Sequence, residues 1–455
     1  MVPGSAATIT NTEDFAKVEL WVKVLVLSQY WAPENGVPQR RWSWLTSLLT
    51  QQGHEVLVVA PSPHYERSIS VKYWWKNKLY RASSQHGTGQ SGERIVRSGF
   101  LPAGPGISGK VLNQAAVALG QLWMAIKLPK VIEEFGADLV IGTVPAIPTA
   151  FVTYVFSRRL KIPYVIDLRD AWPDLLNEAR NWNHSVGVKS HREKALELGP
   201  MQVLITSTRL LMNLVLRHAK AILVTSSFHG ESLSTRRSLR NGRRSSRAIT
   251  VRNVFPPETE YVRASTTQRE TSELNVLYAG TLGRAQNLSN ALYAAAECKR
   301  RGLSVRLLFV GAGAAKPQLR QLAQDLDVQV EFRSRMGADQ LEQLYEWADT
   351  ALVHLAAWPE LRMTVPSKTY ELMSAGIHIS AVVRGETARL IEQTEAGHVV
   401  QPDNPSALAD LWERLIKSPV LLDISEKASS WVRYEREVIA PTALRRVLEE
   451  SVASK

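Results

Sequence analysis

The stretch Pro366-Ser367-Lys368-Thr369-Tyr370-Glu371 brings a helix start, a cation and a carboxylate together. Pro366 bars a helix from running in from upstream, Ser367 can cap a new one, and Gly376 can close it roughly two to three turns later. The first amides of such a helix have no intrahelical partner and lie at the positive end of its dipole, where Lys368 adds a full charge. Phosphate suits that place. Glu371 falls about one turn further on, on the face of Ser367, where a carboxylate can accept hydrogen bonds from two vicinal hydroxyls. Phosphate donors beside a diol acceptor describe a nucleotide site. A capped surface helix with a solvated Lys and Glu explains the same six residues, so the other strand ends have to decide.

Three further stretches carry groups of the same kind. Tyr278-Ala279-Gly280-Thr281-Leu282-Gly283-Arg284 reads as a strand running into a glycine loop, in which Gly280 and Gly283 let backbone approach a diphosphate and Arg284 offers a forked pair of donors. Gly36 follows the apolar run Lys23 to Ser28 and precedes a helix expected from about Arg40 to Gln52. No G-x-G-x-x-G follows that first strand, so this is not a dinucleotide fingerprint. Tyr164 to Leu168 is apolar and delivers Arg169 and Asp170 at its carboxyl end. Asp170 can orient or deprotonate a hydroxyl, and Arg169 can meet a substrate anion; a purely structural contact between the two is the competing reading.

The elements that must position these groups are strands alternating with helices. Continuous apolar runs such as Lys23 to Ser28 and Asn275 to Gly280 are those of strands buried in parallel sheets, whose ligands lie beyond the carboxyl ends. At 455 residues the chain exceeds one ordinary core. We expect a loose extension over 1–20, a first domain over 21–255, a Pro-bearing linker over 256–272, a second α/β domain over 273–425, and C-terminal helices over 426–455 that cross back to the first domain. The extension lacks the basic and apolar regions of a secretory signal. The longest uncharged run, Leu139 to Ser157, is divided by Gly142, Pro145 and Pro148 into strand, loop and helix rather than a membrane span. Cys298 stands alone, which excludes an internal disulfide framework and agrees with a reducing compartment.

A net charge of +12 calls for an anionic partner. Val71 to Arg81 interleaves Lys and Arg with Tyr and Trp, a mixture that suits the boundary of lipid and water. Seven arginines between Arg236 and Arg252 read as a flexible basic loop that would take phosphates of many origins. No tight cluster of His, Asp and Cys has metal-ligand spacing.

Taken in order, Ser28 to Gly36, Leu168 to Asp174, Tyr278 to Gln286, and Pro366-Ser367-Lys368 with Glu371 resemble the group 1 retaining glycosyltransferases, the family 4 class. The chain is most similar there to bacterial enzymes of capsular, O-antigen and other envelope polysaccharides. The resemblance implies an α/β GT-B fold, two Rossmann-like doubly wound domains facing a central cleft, with acceptor bound by the first and nucleotide sugar by the second. It implies that Glu371 binds the donor ribose, that Ser367 and Lys368 with Gly283 and Arg284 hold the diphosphate, and that Gly36 belongs to the amino-terminal glycine loop. Asp170 falls near the crevice residue that meets the transferred sugar. Two positions depart from the family pattern. Met363 stands where the first acid of E-x7-E is expected, and Gln286-Asn287 where many relatives carry a second basic residue.

The implied reaction transfers a hexosyl or N-acetylhexosaminyl group from a UDP- or GDP-linked donor to a hydroxyl, with retention, without metal or other cofactor. Asp170, Arg284 and Lys368 are its catalytic candidates. The expected partners are the nucleotide sugar, a polyprenyl-diphosphate-linked or other glycan acceptor, and an anionic membrane surface, rather than nucleic acid. That places the enzyme in the cytoplasm, peripheral on the inner face of the plasma membrane. The alternatives are a sugar-nucleotide epimerase of the same fold and a non-catalytic protein that binds membrane or nucleic acid.

Overall fold

The computed structural model describes residues 21–34, 36–64, 69–82, 86–102, 106–172, 174, 200–236, 239–241, 244–245, 247–257, 259–263 and 273–453. The expected extension over 1–20 and most of the linker over 256–272 lie outside these residues.

The first sheet contains β1 (Lys23–Leu27), β2 (Glu55–Pro61), β3 (His86–Thr88), β4 (Arg94–Ser98), β5 (Leu139–Val144), β6 (Tyr164–Leu168), β7 (Ala221–Val224) and β10 (Arg247–Thr250). A two-strand ribbon, β8 (Arg240–Asn241) with β9 (Arg244–Ser245), stands apart from it. The sheet order is β10-β7-β6-β5-β1-β2-β4-β3, parallel throughout except at β3. β1 is buried from Val24 to Leu27 because helices cover both faces. Val24 and Val26 pack with Trp42 and Leu45, while Leu25 and Leu27 face the opposite layer with Phe135 and Phe156. The chain leaves β1 towards β2 and later returns on its other side through β5, so the order reverses between β1 and β5.

The second sheet repeats this logic with β11 (Glu273–Ala279), β12 (Ser304–Val310), β13 (Val330–Arg333), β14 (Thr350–His354), β15 (Ile379–Val382) and β16 (Gly397–Val400), in the order β13-β12-β11-β14-β15-β16. Its reversal lies between β11 and β14. In sheets of this kind the reversal opens a crevice beyond the strand ends, where ligands bind. The helix Ala440–Val452 returns to the first domain, where Glu450 Oε1 pairs with Arg247 Nη1 at 2.6 Å.

Several expectations are corrected. The first helix begins at Val37, not Arg40, because Pro38 is preset for a first helical turn. The run Leu139 to Ser157 does divide, into β5 and the helix Ile147–Leu160. In Val71 to Arg81 only Val71–Lys76 is helical. Trp74 is buried there against Phe100 and Val117, its Nε1 donating to the Phe100 carbonyl at 2.6 Å, so it cannot sit at headgroup depth. Trp75 remains 65% exposed. The arginine segment is not a free loop: Arg247–Thr250 forms edge strand β10, Arg236 pairs with Asp174, and Arg252 pairs with Glu386. Carboxylates far away in the chain hold these cations, which local composition could not reveal. Arg237 and Arg243 lie outside the described residues.

Candidate functional site

The crevice of the second sheet is bounded by the loop after β11 and the loop after β14. The first is held by the loop that follows β12. Gly280 N donates to Val310 O at 2.9 Å, Leu282 N to Ala312 O at 3.0 Å, and Ala315 N to Leu282 O at 3.0 Å. A Cβ at Gly311 would lie 1.9 Å from Gly280 O and one at Gly313 would lie 2.1 Å from Leu282 O, so only glycine lets these two backbones meet. Arg284, half-buried, opens a single 3-10 turn over Arg284–Gln286. Ala356 N donates to Ala285 O at 2.8 Å, which ties this turn to the segment leading towards Ser367. His354 is buried at the end of β14, and burial pushes its pKa down to about 3 against the opposing effect of the Gln286 backbone.

The helix expected after Pro366 runs Ser367–Ser374. Its cap is Pro366 rather than Ser367, and no side chain caps it. Lys368 does not stand by itself above the helix start: Nζ pairs with Glu371 Oε1 at 2.9 Å, and the same oxygen accepts from the Tyr345 hydroxyl at 2.7 Å. Glu371 is 7% exposed, and its Oε2 lies 3.8 Å from Nη1 of Arg40, a residue of the first domain. It also lines a cavity of about 160 Å³ with Tyr261, Tyr345, Arg433 and Arg436. Met363, where an acid was expected, ends the 3-10 turn Pro359–Met363; that turn carries a buried carboxylate at Glu360 instead.

In the first domain Gly36 caps the helix Val37–Gln51 with φ of −86° and ψ of 167°, a conformation open to any residue. Its lack of a side chain makes space: a Cβ would lie 2.6 Å from Gln39 Oε1. Asp170 follows β6. The acid three residues earlier, Asp167, is fully buried and receives Arg41 Nη2 at 2.7 Å and Trp42 Nε1 at 2.8 Å, while Arg41 Nη1 donates to Val251 O at 2.8 Å. This buried pair anchors the first helix to β6 and to the exit towards the linker. Arg169 makes no ion pair with Asp170 among the described residues, although each charge acts on the other's pKa. It is 9% exposed, with Nε and Nη1 buried and unpartnered. Burial lowers its pKa to about 10, with Asp167 and Asp170 opposing, so it stays charged at neutral pH. Asp170 keeps contact with solvent, but the protein around it pushes its carboxyl above the ordinary range, opposed by Arg169.

Glu386 joins the domains. Gly385 precedes it with φ of +72° and packs so that a Cβ would lie 2.1 Å from Arg362 O. Glu386 then crosses to the start of the helix Ser227–Thr235. It accepts from Ser227 N at 3.0 Å, Ser227 Oγ at 2.9 Å and Phe228 N at 2.9 Å, together with Ser226 Oγ, and it pairs with Arg252. Burial would raise its pKa, but Arg252 and these donors more than offset that and hold the carboxyl below the ordinary range.

Gly283 and Arg284 follow β11, and Ser367, Lys368 and Glu371 lie further along the chain after β14, its neighbour in the second sheet. Gly36 and Asp170 lie at carboxyl ends of the first sheet, on β1 and β6, which are separated by β5. Arg40, Tyr345 and Glu386 were missed; the only local signal for Glu386 was an acid directly after a glycine at a strand end. Among the described residues no group of three His, Cys, Asp or Glu is placed to hold a metal ion.

Residues 36–245 match the model of the glycosyl transferase 4-like domain, and residues 263–438 match that of glycosyl transferases group 1. No curated protein matches the chain. Among solved structures, sucrose-phosphate synthase (tll1590) from Thermosynechococcus elongatus is similar with a TM-score of 0.65 and 15% identity, over 95% of this chain and 100% of that one. Anabaena Alr3699/HepE in complex with UDP and glucose gives 0.58 and 16%, over 95% and 100%. The lipopolysaccharide outer core galactosyltransferase WaaB gives 0.54 and 12%, over 94% and 99%. These identities carry the fold, and the two facing Rossmann-like sheets are the GT-B arrangement that the sequence resemblance implied.

Proposed function

Because the chain belongs to the group 1, family 4 glycosyltransferases, we propose that it moves a hexosyl or N-acetylhexosaminyl group from a nucleoside diphosphate to a hydroxyl acceptor with retention of configuration. The observation that carries this reading is the reversal of strand order between β11 and β14, after which follow the Arg284 turn and, beyond Ala356, whose N donates to Ala285 O, the uncapped helix Ser367–Ser374. On this reading Arg284, Lys368 and the uncapped amides of that helix meet the diphosphate, and Glu371 offers a carboxylate to the ribose. The leaving diphosphate gains charge as the glycosidic bond breaks, so Arg284, Lys368 and the helix amides stabilise the transition state more than the ground state. These cations serve in place of a metal. Asp170, exposed at the carboxyl end of β6, orients or deprotonates the acceptor hydroxyl. The complex of Anabaena HepE with UDP and glucose supports a uridine donor for this chain as well. Incubation with UDP- and GDP-sugars, with and without a lipid-linked acceptor, is the test: transfer supports the proposal, and donor isomerisation without transfer overturns it.

We further read the enzyme as cytoplasmic, peripheral on the inner face of the plasma membrane, and acting on a polyprenyl-diphosphate-linked acceptor in envelope polysaccharide synthesis. Among the described residues no helix is long and apolar enough to cross a membrane. The first domain nonetheless exposes Leu119, Trp123 and Ile126 along one face of the helix Gly106–Lys127, and Val71, Tyr73 and Trp75 on the helix Val71–Lys76. Lys72, Lys76 and Lys127 are exposed beside them. Apolar rings and cations together favour an anionic lipid surface. Flotation with acidic vesicles should therefore weaken as salt rises and weaken further in Trp75→Ala with Trp123→Ala. Equal binding to neutral vesicles, or none at low salt, would defeat the membrane reading.

A further inference from the structure

Arg169 follows β6 at the carboxyl end of the first sheet, with only β5 between that strand and β1. Its backbone carbonyl accepts from Thr225 Oγ1 at 2.9 Å, but its guanidinium has no partner among the described residues. Nε and Nη1 are buried, and Nη2 is the nitrogen of the fork that keeps contact with solvent. The charges that act on the group locate it. They are Asp167 and Asp170 from its own strand end, Arg41 from the helix Val37–Gln51, and Tyr30 from the loop after β1. The guanidinium therefore lies between the end of β6 and the loop after β1, beside the reversal between β1 and β5, where open α/β sheets take their ligands.

Neither neighbouring acid neutralises it. Asp167 is taken by Arg41 Nη2 at 2.7 Å and Trp42 Nε1 at 2.8 Å, and Asp170 turns to solvent without pairing to Arg169. A cation withdrawn from water without a counter-ion costs free energy that a bound anion recovers, and in such surroundings it attracts that anion more strongly than a surface arginine does. Charge selects the anion. With the Arg41–Asp167 pair neutral, Arg169 supplies one positive charge and Asp170 one negative charge beside it. One guanidinium can meet a carboxylate, whereas a phosphate dianion would bring a second negative charge next to Asp170 with no second cation to receive it. On the transferase reading above, Arg284 and Lys368 of the second domain hold the diphosphate, so what reaches Arg169 is the sugar that the diphosphate carries.

We propose that Arg169 reads the carboxylate of a uronic acid, and that the group transferred by this enzyme is a hexuronosyl group carried on the nucleoside diphosphate. This rests on the transferase reading and narrows its hexosyl group to one oxidised at C6. A neutral sugar would leave the guanidinium uncompensated, whereas a carboxylate gains a charge-assisted hydrogen bond at Nη2. The carboxylate takes no part in the transfer, so Arg169 sets the choice of donor and not the chemistry.

The test is calorimetry on the full chain with donors matched except at C6: UDP-glucose against UDP-glucuronate, UDP-galactose against UDP-galacturonate, and GDP-mannose against GDP-mannuronate, with UDP and GDP alone as references. At least one uronate should bind about tenfold more tightly than its parent hexose, the ratio that a charged hydrogen bond supplies. Arg169→Gln should abolish that preference and leave affinity for the free nucleoside diphosphate unchanged, and Arg169→Lys should keep part of the preference. Asp170→Asn removes the neighbouring negative charge and leaves Arg169 in place; it should widen the preference, and it keeps the inference falsifiable if the Arg169 variants fail to fold. Equal affinity within every pair, a preference that survives Arg169→Gln, or one unchanged in Asp170→Asn would each overturn the inference. So would a loss in Arg169→Gln as large for free UDP as for the sugar nucleotide, which would make the diphosphate the anion that Arg169 meets. A methyl glucuronoside that binds beside UDP, with no preference among the donors, would move the carboxylate to the acceptor and overturn the donor assignment. Nucleoside diphosphate binding without a uronate preference refutes this inference alone, and a folded protein that binds no nucleoside diphosphate refutes the donor reading beneath it as well.

Discussion

Replacing Glu386 should loosen the two domains, and the structure sets the size of the effect. Ser227 and Phe228 lie in the first turn of their helix, where amides have no intrahelical acceptor. Glu386 of the other domain is the acceptor for both. Its partner Arg252 is 13% exposed and Glu386 itself 4%, so the pair is largely withdrawn from water. Removing one member of such a pair costs about 3–5 kcal/mol. Arg252 keeps Glu435 at 3.7 Å, which places Glu386→Ala towards the lower end, at about 3 kcal/mol. Glu386→Gln keeps the shape and one acceptor and should cost about 2 kcal/mol, since hydrogen bonds to a charged group are worth about 1.5–3 kcal/mol. Amide hydrogen exchange resolved at Ser227 and Phe228 is the assay. In Glu386→Ala their protection should fall by about two orders of magnitude, the equivalent of about 3 kcal/mol, while the core strands stay protected. The pH dependence has a definite sign: the carboxyl is held below its ordinary value of 4.5, so this contribution is present above that pH and lost as pH falls through the lowered value. Unchanged protection at both amides in a folded Glu386→Ala protein would refute the reasoning.

Glu371→Ala should weaken binding of free nucleoside diphosphate by about 1.5–3 kcal/mol, measured by calorimetry, because a charged acceptor for the ribose is lost. Glu371→Gln should lose less, and unchanged affinity in both would remove Glu371 from the donor site. Arg284→Ala and Lys368→Ala should lower kcat more than they raise the donor KM, since the charge they meet grows in the transition state, and turnover should survive a strong chelator. An effect confined to KM, or metal dependence, would contradict this. Acid should destabilise the fold from about pH 6.5 downward, because burial lowers His229 to about 4 and His354 and His378 to about 3, and the unfolded chain then takes up protons first. At about 1.4 kcal/mol per pKa unit, His229 alone sets a ceiling of about 3 kcal/mol. Urea midpoints at pH 7 and pH 5 should differ less in His229→Gln than in the wild type, and equal differences would exclude His229 as a contributor.

The two sheets were legible because their strands are buried on both faces and therefore read as unbroken apolar runs, as at β1 and β11. The same rule hid β10: as an edge strand, Arg247-Ala248-Ile249-Thr250 mixes exposed and buried positions, and its arginines dominate the composition. In the second domain the helix after Pro366 and the turn at Arg284 were legible because Pro366, Gly283 and Gly376 carry local signals of start and turn. What local signals cannot give is pairing at a distance. Trp74 was assigned to a lipid surface by its neighbours in sequence, whereas Phe100 and Val117 decide its burial. Arg41 drew no notice beside Trp42, although its bond to Asp167, 126 residues away, fixes the first helix.

Two contacts between the domains involve carboxylates that the second domain contributes, and they differ in a way that bears on turnover. Glu386 is saturated with donors, including two backbone amides, and nothing in the proposed reaction needs it free. Glu371 is not equivalent. Its Oε1 is taken by Tyr345 and Lys368, but its Oε2 meets Arg40 of the first domain only at 3.8 Å, beyond direct hydrogen-bonding distance. On the proposed reading this is the oxygen left to receive the ribose hydroxyls. A donor bound there would come within reach of Arg40, so nucleotide affinity and the approach of the first domain would share one carboxylate. Arg40→Ala should then weaken nucleotide binding although the residue lies outside the donor domain, whereas an Arg40 that only props the linker through Pro256 would leave nucleotide affinity unchanged.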